Sequence, residues 1–305
     1  MKERIWADFA RKVEERNLKI EKLRVYVEDE LVFSQDWKEG DTPRNIYSNT
    51  KTFVTTLLGK YIAEGAISLD TRVVDLMADK LPAEGNPGVE KIKLRHLLTM
   101  SSGFGQTLMG VDRRRGVGFP DPMKWLLSQP VKCEPGTSFT YSTGDTILAG
   151  RMLERATGKN LAVMMYEDLL QPMGIELPMW ECCPQGHPIA GGGMFLKVEE
   201  QARLGLLHLH KGNWEGQQLV PAEWIAEMGK KQIEIPPANI WRCGYGYQVW
   251  LCPYPDSYRA DGMFGQITVI LPKQQAVIAY QCPEVGNDAL VRDAIHEAIC
   301  EMIAE

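Results

Sequence analysis

Strand-forming runs sit at the two ends of this chain and the long stretch between them reads as helix, a distribution that limits the folds open to it. Near the start, LRVYVEDELVFSQ gives two short strands on either side of the polar Glu28-Asp29-Glu30, the pattern of a hairpin. Near the end, GYGYQVWLC, YRADGMFG, QITVILP and QAVIAYQC supply three or four strand runs, with PKQQ a turn between the last two. Residues 66–214 instead carry LRHLLTM, PMKWLLS, DTILAGRMLERATG, LAVMMYEDLL and VEEQARLGLLHLH, helical stretches separated by Gly and Pro. An α+β protein is therefore expected, its sheet of about five strands assembled from both termini and flanked by the first and last helices, with a mainly helical insertion. The expected division is a discontinuous sheet domain, 1–75 with 215–305, and a helical domain, 76–214, with a site in the cleft between them.

Charge and cysteine content narrow the function classes. The net charge is -6, and the one basic cluster, Arg113-Arg114-Arg115, has no interleaved aromatics, which argues against nucleic acid as a partner. The first helix, MKERIWADFARKVEERN, is charged and amphipathic, and no segment approaches the ~18 apolar residues of a membrane span, so no membrane partner is expected. The seven cysteines form no CxxC pair, and an odd number at irregular spacing suits reduced thiols; the expected location is the cytoplasm.

One local misfit points to chemistry. In IYSNTKTF the apolar residues Phe53, Leu57, Leu58, Tyr61 and Ile62 recur at helical spacing, so a helix runs from about residue 48 to 64 and Lys51 falls in its first turn. The positive end of the macrodipole disfavours an ammonium there, and a capping box would place Glu or Gln three residues after the serine. Ser48 as a simple cap leaves Lys51 unexplained. A nucleophile and its base explain both: at i and i+3 the two side chains share a face, and the dipole and burial lower the lysine pKa until a neutral amine can take the serine proton.

Ser48-Asn49-Thr50-Lys51, then EPGTSFTYSTGD, then YRADGMFGQ resemble the ordered motifs of serine β-lactamases and penicillin-binding proteins. LRHLLTMSSGFG, AGGGMFLKVEEQARLG and GMFGQITVILP are similar to segments of the class C-like branch, which includes esterases and 6-aminohexanoate-dimer-hydrolase-like members. The resemblance covers about residues 40–300 and implies a β-lactamase/transpeptidase-like fold with an antiparallel sheet. It implies Ser48 as nucleophile, Lys51 and Tyr141 as the proton-transfer pair, and the backbone N–H groups of Ser48 and Met263 as the oxyanion hole. Thr143 stands where the family has asparagine; a plainer reading has Tyr141 packed in its loop and Thr143 capping the next helix. Ala260-Asp261-Gly262 stands where the family has Lys-Thr-Gly or His-x-Gly, so these residues would line the site without the usual cation. Arg259 is adjacent, but strand alternation points it to the other face.

The expected activity is that of a cofactor-independent serine hydrolase acting on small esters or linear amides. The alternatives are a true β-lactamase or D-amino-acid peptidase, with a lactam or peptide substrate, and a catalytically silent binding module. No Rossmann or P-loop glycine pattern supports a nucleotide. No metal is expected: His208 and His210 at i and i+2 face apart on a helix, and Cys182-Cys183 with His187 is no better spaced. His96 reads as a structural histidine under a loop, and Gly191-Gly192-Gly193 as close backbone packing near the cleft, since no G-x-S-x-G accompanies it. Trp241, Tyr245, Tyr247 and Trp250 read as sheet core and cleft wall.

Overall fold

The computed structural model describes residues 2–110, 120–236 and 241–304; the arginine cluster at 113–115 lies outside the described residues. An N-terminal helical segment, α1 (residues 2–15), leads into a hairpin of β1 (Lys22–Val27) and β2 (Glu30–Asp36). The chain next makes a 3-10 turn at Tyr47–Asn49 and enters α2 (Thr50–Ala63). Mostly helical structure follows, including α3 (Thr143–Thr157) and α4 (Val198–Leu209). The chain then returns to the sheet through β3 (Gly244–Tyr245), β4 (Trp250–Leu251), β5 (Tyr258–Gly262), β6 (Gln266–Leu271) and β7 (Ala276–Gln281), and ends in α5 (residues 288–304).

Among the described residues the sheet has seven strands in the order β2-β1-β7-β6-β5-β4-β3, and each pairing is antiparallel. The first strand of the chain pairs with the last, Lys22 opposite Gln281 and Val25 opposite Ile278, so the termini close the sheet as the strand distribution requires. The expected five strands are the long ones. GYGYQVWLC, read as one strand run, is instead two paired two-residue strands, β3 and β4, with Gln248 at φ +59 between them.

Both faces of the sheet are covered, which is why QITVILP and QAVIAYQC are nearly continuous apolar runs: all six residues of β6 and of β7 are buried. Val25, Ile267, Val269, Ile278 and Tyr280 face the terminal helices, packing with Phe9, Val13, Val291, Ile295 and Ile299. Val277, Ala279, Ile270 and Tyr258 face the other way, into a core with Phe53, Leu57, Leu204 and Leu207 of α2 and α4. Helix α2 is enclosed nearly all round, and even Thr52, Thr55 and Thr56 are buried. A helix so held presents its first turn at a fixed place beside the sheet. Among the described residues no helix is long and apolar enough to cross a membrane.

Candidate active site

The turn that carries Ser48 is held in an uncommon conformation. Tyr47 adopts φ +48, left-handed for a bulky residue, and its backbone N–H is fixed by the Asn45 side chain at 2.8 Å. On the other side Asn49 Nδ2 donates to the Gln266 carbonyl at 3.1 Å and to Thr268 Oγ1 at 3.2 Å, tying the helix start to β6. Gly262 completes the clamp. A Cβ there would stand 2.2 Å from the Ile46 carbonyl oxygen, so β5 approaches the serine turn this closely only because the residue is glycine, and Met263 follows directly.

Lys51 occupies the first turn of α2, as its spacing predicts, and is 1% exposed. Its Nζ bonds the Gly191 carbonyl at 2.6 Å, Ser48 Oγ at 3.0 Å and Thr143 Oγ1 at 3.3 Å. The Tyr141 phenol lies near enough to Ser48 for the serine hydroxyl to act on its ionisation. Ser48, half-buried, thus lies between an amine and a phenol. Burial holds the Tyr141 phenol well above its ordinary pKa and the nearby charge of Asp261 adds to this, while the Ser48 hydroxyl and Arg242 pull the other way; the phenol is neutral at physiological pH. Lys51 Nζ stands 5.3 Å from the centre of the Tyr141 ring.

Thr143 does not cap its helix with its side chain. Ser142 is the N-cap residue of α3 and makes no side-chain cap bond, and the Thr143 hydroxyl meets Lys51 instead. The missing asparagine is therefore replaced by another oxygen within reach of the same amine. Gly191 is the other oxygen, and it is packed too closely for any side chain: a Cβ would lie 2.6 Å from Thr143 Cγ2 and 3.3 Å from Lys51 Nζ. The triple glycine is close backbone packing at the site, as read from the sequence.

Ala260 is fully buried and brings no charge. Arg259 and Asp261 alternate to the opposite face, where Arg259 Nε donates to Asp261 Oδ2 at 2.9 Å and its Nη1 donates to the Trp241 carbonyl at 2.5 Å. Of the aromatics, Tyr245 and Trp250 pack with Tyr141 and Phe139 as a wall beside the site. Tyr247 stacks on Trp224 and Trp241 on His296, both in the core. The histidines are structural: His208 sits between Thr56 Oγ1 at 2.8 Å and the Tyr258 hydroxyl at 3.0 Å, and His210 meets Asp29 at 2.7 Å. His96 Nδ1 accepts from the Lys93 N–H at 3.2 Å and lies under the loop at Gly136.

One buried acid went unnoticed in the sequence. Asp145, on α3 one turn beyond Tyr141, accepts from Ser102 Oγ at 2.9 Å, and burial pushes its carboxyl up to about 7 against the opposing pull of Ser102, Ser142 and Lys51. An acid in the first turn of a helix is ordinary, so nothing in GDTILAG marked it.

The match to known families follows this geometry. A family model described as Beta-lactamase matches residues 23–298. The chain belongs to the beta-lactamase family. The esterase EstB of Burkholderia gladioli is 28% identical over 149 residues, 44% of this chain and 38% of EstB, so this protein spans well under half the length of that relative. Among solved structures, a family VIII carboxylesterase superposes with TM-score 0.73 at 16% identity over 97% of both chains. A penicillin-binding protein of Bacillus halodurans superposes with TM-score 0.72 at 17% identity, over 95% of this chain and 98% of that one. At such identities the superpositions speak for the shared fold, the β-lactamase/transpeptidase architecture that the motifs imply.

Proposed function

We propose that this family member is a cofactor-independent serine hydrolase that cleaves small esters or linear amides through an acyl-enzyme. The observation that carries the reading is the position of Ser48 Oγ, 3.0 Å from Lys51 Nζ with the Tyr141 phenol close by. In its neutral form Lys51 accepts the serine proton as Ser48 Oγ attacks the carbonyl carbon. The buried setting and the macrodipole favour that form; the three oxygens around Nζ favour the ammonium that results. Tyr141 passes a proton to the leaving oxygen or nitrogen. The N–H groups of Ser48 and Met263 hold the oxyanion. Water then attacks the acyl-enzyme, with the same pair taking its proton and returning it to Ser48. Thr143, Ala260 and Gly262 form the surround, with Asp261 turned instead to the far face of β5 against Arg259, and the missing cation at 260 favours esters and linear amides over lactams.

A fluorophosphonate probe followed by peptide mapping tests this. Adduct mass on Ser48, with ester turnover abolished in Ser48→Ala, is the expected result. An unlabelled Ser48 with no turnover above background in either protein leaves a silent binding module. Nitrocefin turnover matching that of short esters replaces the esterase reading with a β-lactamase.

A further inference from the structure

We propose that Gln248 is a positioning residue for this site, setting where Lys51, Tyr141 and Thr143 stand relative to one another. The inference rests on the serine-hydrolase reading and adds to it a residue that touches none of the reacting atoms. Gln248 lies in the loop between β3 and β4, is 3% exposed, and adopts φ +59. Left-handed backbone favours glycine or asparagine, so local preference does not explain a glutamine there. Its hydrogen bonds do. Nε2 donates to the Leu97 carbonyl at 2.9 Å and the Leu98 carbonyl at 3.2 Å, and the backbone N–H donates to the Leu98 carbonyl at 3.1 Å. Oε1 accepts from Thr146 Oγ1 at 2.7 Å, and the backbone carbonyl accepts from Thr52 Oγ1 at 3.0 Å. The two leucine carbonyls can only accept, which fixes the orientation of the amide.

Each partner is one step from the proton-transfer groups. Thr52 follows Lys51 on α2, and Thr146 lies one turn beyond Thr143 on α3. Leu97 and Leu98 supply the last carbonyls of the helix Leu94–Leu98, which the N–H groups of that helix do not reach. The chain runs from there into Met100, whose carbonyl accepts from the Thr140 N–H at 2.8 Å and whose sulfur accepts from the Ser142 N–H at 3.3 Å. The residues on both sides of Tyr141 are thereby held. The strands flanking Gln248 carry Tyr245 and Trp250, against which the Tyr141 ring packs. One buried glutamine therefore ties together the segments that meet at Lys51 Nζ, where Thr143 Oγ1 stands 3.3 Å away. A displacement of about 1 Å in such a constellation costs about 100-fold in rate.

The test measures kcat/KM on p-nitrophenyl acetate per site titrated to completion with a fluorophosphonate, so that loss of folded protein drops out of the comparison. Gln248→Met keeps the length of the side chain without its hydrogen bonds and is expected to lose about 10- to 100-fold per site. A value within about threefold of the unmodified protein marks a purely structural residue and overturns the proposal. Gln248→Glu keeps the contacts only while its carboxyl is protonated, because an ionised oxygen would face the Leu97 and Leu98 carbonyls. Its activity relative to the unmodified protein is expected to fall about tenfold between about pH 6 and pH 9, and a constant ratio overturns the proposal. Lys51 on α2, Asp145 on α3, Arg95 and His96 on the helix Leu94–Leu98 and Tyr245 on β3 are common to both proteins, so the ratio isolates the new carboxyl. If Ser48 of the unmodified protein stays unlabelled, the hydrolase reading itself fails. Crystal structures of the unmodified and Gln248→Met proteins then decide the positioning: a Lys51–Thr143 contact lengthened by more than about 0.5 Å supports it, and an unchanged contact overturns it.

Discussion

Lys51 stands in the first turn of α2, where the macrodipole does not favour a cation, and the proposed role as base rests on its contact with Ser48. Replacing it with arginine keeps the charge but supplies a group that does not deprotonate, so kcat/KM on a p-nitrophenyl ester is expected to fall by about 10²–10⁴. Turnover within a few-fold of the unmodified protein would remove Lys51 as the base. Asp145 gives a second prediction at this scale. Its carboxyl stays neutral in the fold up to about pH 7 but ionises near pH 4 in the unfolded chain, so the proton bound only by the folded state makes stability fall as pH rises through that window. Asp145→Asn should therefore gain stability relative to the unmodified protein on going from pH 5 to pH 8, by roughly 3 kcal/mol in urea unfolding. An unchanged difference at the two pH values would show that the carboxyl ionises normally. Ser48, Lys51 and Tyr141 were legible because their side chains sit in motifs. The Gly191 carbonyl was not, because a backbone oxygen 140 residues away leaves no mark on local spacing.

At the scale of elements, the start and end of α2 agree with the apolar periodicity to within a residue or two, and the long strands agree with their β-branched runs. What periodicity missed was the reason α2 sits so deep. Gly59 faces the short helix Ala222–Met228, and a Cβ there would lie 2.0 Å from Trp224 Cδ1, while Trp224 Nε1 donates to the Thr55 carbonyl at 2.8 Å. Glycine in mid-helix reads as a local weakness; here it lets an indole rest on the backbone. Gly59→Ala is expected to destabilise the protein by about 1–3 kcal/mol despite the better helix propensity of alanine, because the indole must move or its hydrogen bond must break. Urea denaturation decides between the two effects, and a gain in stability would mean that propensity outweighs packing at this position.

For the whole molecule, burial of titratable groups sets how stability depends on pH. His208 lies between Thr56 and Tyr258, and His296 is stacked between Trp241 and Tyr254 with neither nitrogen hydrogen-bonded among the described residues. Burial lowers both to about 3, with Arg259 and Arg292 adding to the effect at His296. Their folded pKa values are depressed, so the stability they allow is complete above the unfolded value of about 6.5 and is lost as pH falls toward 3. Asp145 acts with the opposite sign over an overlapping window, and His96, also lowered by burial, acts with the histidines. Between about pH 4.5 and pH 6 the His208→Gln, His296→Phe double variant should therefore show a stability–pH slope lower than the unmodified protein by roughly 2–3 kcal/mol per pH unit, while Asp145→Asn shows one higher by roughly 1.4. Glutamine keeps donor and acceptor for Thr56 and Tyr258, and phenylalanine keeps the stack on Trp241, so the comparison reads protons rather than lost packing. Parallel slopes in the three proteins would mean that these groups titrate alike in the folded and unfolded chains, and the buried charges would then play no part in acid unfolding.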